Sequence, residues 1–150
     1  MKIILGSDHG GYRLKIAVMK HLKEQGIETE DLGCYSEESC DYPDYAEKVA
    51  VRVAAGDGKV LGILCCGTGI GISIAANKVK GIRAACCSDC FSTKYTRMHN
   101  DANILCMGGR VVGDGLACMM ADLFIRTPFE GGRHQRRIDK ITAIEKRQNE

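Results

Sequence analysis

The sequence predicts a three-layer α/β/α domain on a five-stranded parallel sheet, with one further helix at the C-terminus. Three observations predict it. Short apolar runs bounded by glycine alternate with longer stretches of helical period, the pattern of a parallel sheet covered on both faces. One of those runs, Val60 to Cys66, is apolar throughout, as a strand buried on both faces should be. Polar residues gather just after the strands, at Asp8-His9, Cys66-Gly67-Thr68, Ser88-Asp89 and Gly109-Arg110. In open α/β sheets that edge is where ligands bind.

Lys2 to Gly6 reads as the first strand and Ser7 to Gly11 as its turn. Tyr12 to Gln25 places Leu14, Ala17, Val18 and Leu22 on one helical face, and Gly26 stops it. Ile27 to Leu32 is a polar-edged strand that belongs near the rim of the sheet, and Cys34 to Pro43 a polar loop. Tyr45 to Ala55 returns to helical spacing through Ala46, Val49, Ala50 and Val53. After the central strand and its glycine turn, Ser73 to Val79 reads as the opening of a third helix. Gly81 to Cys87 is expected as the fourth strand, Ser88 to about Met98 as the fourth helix, and Asn103 to Met107 as the fifth strand. Gly113 to about Arg126 is a fifth amphipathic helix, and Ile138, Ile141 and Ile144 mark one stripe of the last. The chain, residues 1–150, is long enough for one domain with a proper core and short for two.

Composition narrows the function classes. A formal net charge of +2 is too small to argue for nucleic acid or a membrane surface. Lys2 is followed by only three apolar residues before Gly6, so no secretion signal is legible, and no apolar run approaches membrane-spanning length. A cytoplasmic protein is expected. Nine cysteines, an odd number without secretion, are expected to serve mostly as small core residues. The one C-x-x-C, Cys87 to Cys90, lacks the second pair that a zinc signature needs.

The turn Cys66-Gly67-Thr68-Gly69-Ile70-Gly71 carries the most chemistry. Its spacing is G-x-G-x-G, not the dinucleotide G-x-G-x-x-G, although Asp89 lies about where a ribose-binding acid would be sought. It lacks the Lys-Ser/Thr ending of a P-loop. As an oxyanion cradle it needs only inward-facing amides, and as a plain tight turn it needs nothing more than its glycines. A thiol at the start of a helix is placed for proton transfer, since that environment favours thiolate. Asp8-His9 follows the first strand on the ligand edge. His99-Asn100-Asp101 precedes the fifth strand, the wrong end for its own subunit's site but available to a neighbour's. In Gly132-Arg133-His134-Gln135-Arg136-Arg137, the two arginines four apart share a face if the last helix starts this early. Two guanidinium forks on one face suit a phosphate dianion, and a solvated basic face is the bland alternative.

Gly6-Ser7-Asp8-His9-Gly10-Gly11, Asp41-Tyr42-Pro43, Cys66 to Ser73, His99-Asn100-Asp101 and Gly131-Gly132-Arg133-His134 together resemble the type B ribose-5-phosphate isomerases, a family that includes galactose-6-phosphate isomerase subunits. The motifs run in order along essentially the whole chain. The resemblance implies a Rossmann-like homodimer with sites shared between subunits, and a metal-free, cofactor-free aldose–ketose isomerisation through a cis-enediolate. It implies Cys66 as the base, with Thr68 and His99 assisting ring opening. The amides of Gly67, Gly69 and Gly71, with Asn100, would hold the enediolate oxygens. Asp8 and Tyr42 would contact sugar hydroxyls, and His9, Arg110, Arg133 and Arg137 the phosphate. One branch of the family has a glutamate base where this chain has Ile72, which cannot take a proton, so the cysteine branch is implied. Cys65 stands where the family usually has an aliphatic residue, and strand alternation points it away from Cys66. A six-carbon sugar phosphate, such as allose or galactose 6-phosphate, remains open as substrate. So does a nucleotide-binding module that uses the glycine turn and Asp89.

Overall fold

The computed structural model of the chain describes residues 1–150. Five strands, β1 (Lys2–Ser7), β2 (Glu28–Asp31), β3 (Val60–Cys66), β4 (Ala84–Cys86) and β5 (Ile104–Gly108), form one all-parallel sheet in the order β2-β1-β3-β5-β4. β3 is buried along its whole length and β5 likewise, whereas polar β2 and short β4 take the two edges. On one face, α1 (Tyr12–Glu24) and α5 (Asp114–Arg126) set Leu14, Val18, Leu22, Met120 and Phe124 against Ile3, Leu5, Ile63 and Cys65. On the other, α2 (Tyr42–Ala54) and α3 (Ile70–Ala76) set Val49, Val53, Ile72 and Ala76 against Ile4, Leu64, Cys66 and Ile104. The adjacent thiols therefore enter opposite cores, as alternation along a strand requires. α4 (Cys90–Asn100) packs beside α5, and α6 (Arg133–Gln148) packs on α4. No helix is long and apolar enough to cross a membrane.

Several boundaries differ from the sequence reading, each for a local reason. α2 begins at Tyr42, three residues early, because Pro43 fits the first helical turn, where its missing N–H costs nothing. α3 begins at Ile70 rather than Ser73, since Gly69 takes φ +80° and turns the chain straight into the helix. β4 shrinks to three residues. Ile82 is held in a turn by Val79, and the Asn77 side chain both donates to the Ala84 carbonyl and accepts from its N–H, closing a sheet edge. α4 starts at Cys90 because Asp89 caps it, accepting the Ser92 amide at 2.6 Å.

One buried cation was not legible. Lys15, in α1, has no solvent exposure, and its ammonium donates to Asp31 Oδ1 at 2.8 Å and to the Cys34 carbonyl. The Tyr12 and Tyr35 rings lie 5.4 and 5.5 Å from it. The lysine thus fastens the segment between β2 and α2, which leads into Tyr42. A lysine on a helix reads as surface in any sequence, and only its partners reveal otherwise.

Candidate active site

β1 and β3 are neighbours whose following helices go to opposite faces of the sheet, so a crevice opens beyond their carboxyl ends. Gly11 lets the two exits meet: a Cβ there would lie 2.2 Å from the Cys65 carbonyl carbon. The turn after β1 and the turn after β3 are consequently in contact, and a Cβ on Gly10 would sit 3.1 Å from the Gly67 nitrogen. Asp8 is buried, its amide donating to the Cys65 carbonyl and its Oδ1 accepting the Gly11 amide at 3.1 Å. His9 Nδ1 accepts the Cys40 amide at 3.2 Å. In a neutral imidazole that leaves Nε2 as the nitrogen carrying hydrogen, a donor free for an anion.

Cys66 ends β3 and keeps 4% exposure against none for Cys65. Its Sγ accepts the Gly69 amide at 3.0 Å. Burial pushes the Cys65 thiol up to about 12, so at neutral pH it carries no thiolate. The amides of Gly67, Thr68, Gly71 and Ile72 donate to no acceptor in the protein, while the Ile70 amide is held by Thr68 Oγ1 at 3.2 Å. Free donors thus lie on the same turn as the sulfur, an arrangement suited to negative charge developing on oxygen. Arg110 closes one side. Its amide donates to the Gly67 carbonyl at 3.0 Å, and its Nη1 is 3.2 Å from where a Gly67 Cβ would stand. Tyr42 closes another, with its ring 2.7 Å from the Cβ position of Gly71. Ile72 is fully buried and offers no proton acceptor.

The remaining predicted residues lie elsewhere in the same chain. His99 and Asn100 end α4, before β5, while Gly108 at the far end of β5 pairs with Cys66. The length of β5, roughly 16 Å at the usual rise per residue, separates the two groups. Arg133 and Arg137 lie on the first turns of α6, exposed and on one helical face, beside His99. Asp89, considered above for a ribose, is engaged as a helix cap. Of the C-x-x-C pair, Cys87 is buried in the core, and that burial raises its pKa, opposing the thiolate that a metal needs. All nine cysteines are free. His134, unassigned by sequence reasoning, is 5% exposed and stacks on His99. Its pKa lies below the usual imidazole range, chiefly from burial and secondarily from His99 and Arg133.

A parallel α/β sheet with a thiol and unpaired amides at its switch point has the groups that an enzyme moving a proton beside an oxyanion requires. The chain matches the Ribose/Galactose Isomerase family across residues 3–141 and belongs to it. It is 53% identical to Ribose-5-phosphate isomerase B of Escherichia coli over 99% of both chains. Among solved structures it resembles ribose-5-phosphate isomerase B of Clostridium thermocellum, with 52% identity, TM-score 0.96 and 99% of each chain covered. It also resembles that of Mycoplasma genitalium with bound ribulose-5-phosphate, with 46% identity, TM-score 0.93, and 97% and 96% covered. The chain is an isomerase with the expected Rossmann-like fold.

Proposed function

We propose that the chain interconverts D-ribose 5-phosphate and D-ribulose 5-phosphate in a homodimer whose two sites each draw on both subunits, and that it does so in the cytoplasm as one 150-residue domain. The observation that carries the substrate is near-full-length identity above one half to a ribose-5-phosphate isomerase B. Nine free cysteines support a reducing compartment. A shared site is supported by the separation of Cys66 from His99, Asn100, Arg133 and Arg137, which one copy of the chain cannot bring together. A groove of about 760 Å³ between α3, β4, α4 and α6, with exposed Ile141 and Ile144 on its wall, supports a second copy packing near that face.

Each residue then has a physical task. Arg133 and Arg137 from one subunit, with His9 and Arg110 from the other, hold the phosphate; that remote grip orients the sugar. His99 gives a proton to the ring oxygen as the C1–O bond breaks, and the C1 hydroxyl gives up its own proton through Thr68 to solvent. The aldehyde so formed lies with C2 beside Cys66, whose thiolate takes the C2 proton. Negative charge moves onto O1, where the amides of Gly67 and Gly71 meet it, with Gly69 holding the sulfur and Asn100 the second oxygen. Each such donor is worth about 2.7–4 kcal/mol in the transition state. A proton passes from O2 to O1 within the enediolate, the same thiol returns its proton to C1, and the ketose results. Asp8 and Tyr42 hold the remaining hydroxyls.

The test is kcat/KM for ribose 5-phosphate, allose 6-phosphate and galactose 6-phosphate. Preference for ribose 5-phosphate is expected. A higher value for either hexose phosphate would move the assignment to a six-carbon substrate.

A further inference from the structure

His134 is built into the protein more tightly than a phosphate-binding face requires. Its neighbours Arg133, Gln135 and Arg136 are exposed, while His134 turns inward. Its ring lies parallel to that of His99, with centroids 4.0 Å apart and planes inclined by 10°. Both rings turn Nε2 toward one carboxylate oxygen. Glu130 Oε2 is 3.3 Å from His134 Nε2 and 3.8 Å from His99 Nε2. The Glu130 amide donates to the Met98 carbonyl at 3.1 Å, tying the carboxylate to the residue before His99. Tyr95, one helical turn earlier, meets the His99 ring edge-on at 5.0 Å.

Three potential metal ligands lie within 4.8 Å of one another here, yet the geometry fits the positioning of one ring by the other better. Parallel imidazoles aim their nitrogen lone pairs side by side, whereas a bound ion needs them to converge at about 2.0–2.1 Å. Two imidazolium rings stacked this closely would repel, and only one carboxylate is present to balance them. Burial first, then His99 and the guanidinium of Arg133, hold the His134 pKa below the usual imidazole range.

We propose that His134, anchored by Glu130, is a positioning residue for His99: stacking fixes the plane of the His99 ring, and the shared carboxylate orients the ring nitrogens of the pair. The inference rests on the reading above that His99 assists ring opening. It adds that a buried histidine which never touches the sugar sets how well His99 does so.

The test uses the full-length protein with His134→Phe, which keeps a flat ring without nitrogens, and Glu130→Gln at an exposed position, beside His99→Asn. Two reactions are followed. Conversion of ribose 5-phosphate needs ring opening. Exchange of the C1 hydrogen of ribulose 5-phosphate with solvent deuterium starts from an open chain and needs only enolisation. His134→Phe and Glu130→Gln are each expected to slow ribose conversion about tenfold or more while deuterium exchange stays within about twofold of wild type. Adding His134→Phe to His99→Asn is expected to cause no further loss, because the two act as a unit. Unchanged ribose conversion in both single variants would overturn the proposal. So would equal loss of conversion and exchange, since that marks a residue that only supports the fold. Intact ribose conversion in His99→Asn would instead sink the ring-opening role itself, and this inference with it.

Discussion

The two ends of β5 carry different kinds of chemistry. At the carboxyl end, where Gly108 pairs with Cys66, the candidate groups combine backbone and side chains: unpaired amides of Gly67, Thr68, Gly71 and Ile72 on the turn that follows the Cys66 sulfur, with Asp8, His9, Tyr42 and Arg110 lining the same crevice. At the amino end they are side chains on helices, His99 and Asn100 on α4, Arg133 and Arg137 on α6. Backbone donors are fixed by the fold and suit a charge that appears at one point in the reaction. Long side chains on exposed turns suit capture of a phosphate. The difference teaches that the thiol proposed to take the sugar's proton and the histidine proposed to open its ring lie at opposite ends of β5 in one chain, too far apart to act on one molecule, with proposed phosphate ligands at both ends.

The comparison breaks most sharply at the adjacent thiols. Cys66→Ala is expected to lower kcat by about 10³-fold, within the range for a lost acid–base group, while Cys65→Ala changes it by less than about threefold. Steady-state kinetics of the two variants measure this, and equal losses would remove Cys66 from its role. A smaller effect sharpens the amino-end half. Arg137→Ala is expected to raise KM about tenfold, the worth of one charge-assisted hydrogen bond, with kcat little changed. An unchanged KM would leave that guanidinium in solvent.

The mildest effect on turnover is expected at Lys15. Lys15→Met leaves Asp31 without its cation, and since Asp31 keeps 18% exposure the loss falls near the low end for a broken buried pair, about 3 kcal/mol. Urea unfolding reads that loss. Activity at a temperature where the variant remains folded is expected to fall only through the loop that leads to Tyr42. A variant as stable as wild type would mean that the Lys15–Asp31 contact contributes nothing net.

Legibility in the sequence followed the same division. The carboxyl-end half was visible because glycines, a strand and a cysteine lie side by side in sequence, and local spacing fixes their geometry. The helix start at Ile70 was missed because Ile70-Gly71-Ile72 has poor helix propensity, and the turn at Gly69 overrides it. The short β4 was missed because the Asn77 side chain that closes its edge is remote in pattern from the strand. Lys15 with Asp31, and His99 with His134 and Glu130, are contacts between segments, and no periodicity announces them. The placing of His99 at the opposite end of β5 from Cys66 was readable from connectivity alone.

The direct measurement is subunit complementation. Cys66→Ala and His99→Asn chains, each nearly inactive alone, are unfolded together, refolded as a mixture and assayed. If each site takes Cys66 from one subunit and His99 from the other, every mixed dimer holds one intact site, and about a quarter of wild-type activity returns. Activity that stays at the level of the separate variants would contradict the shared site and return both residues to a single chain.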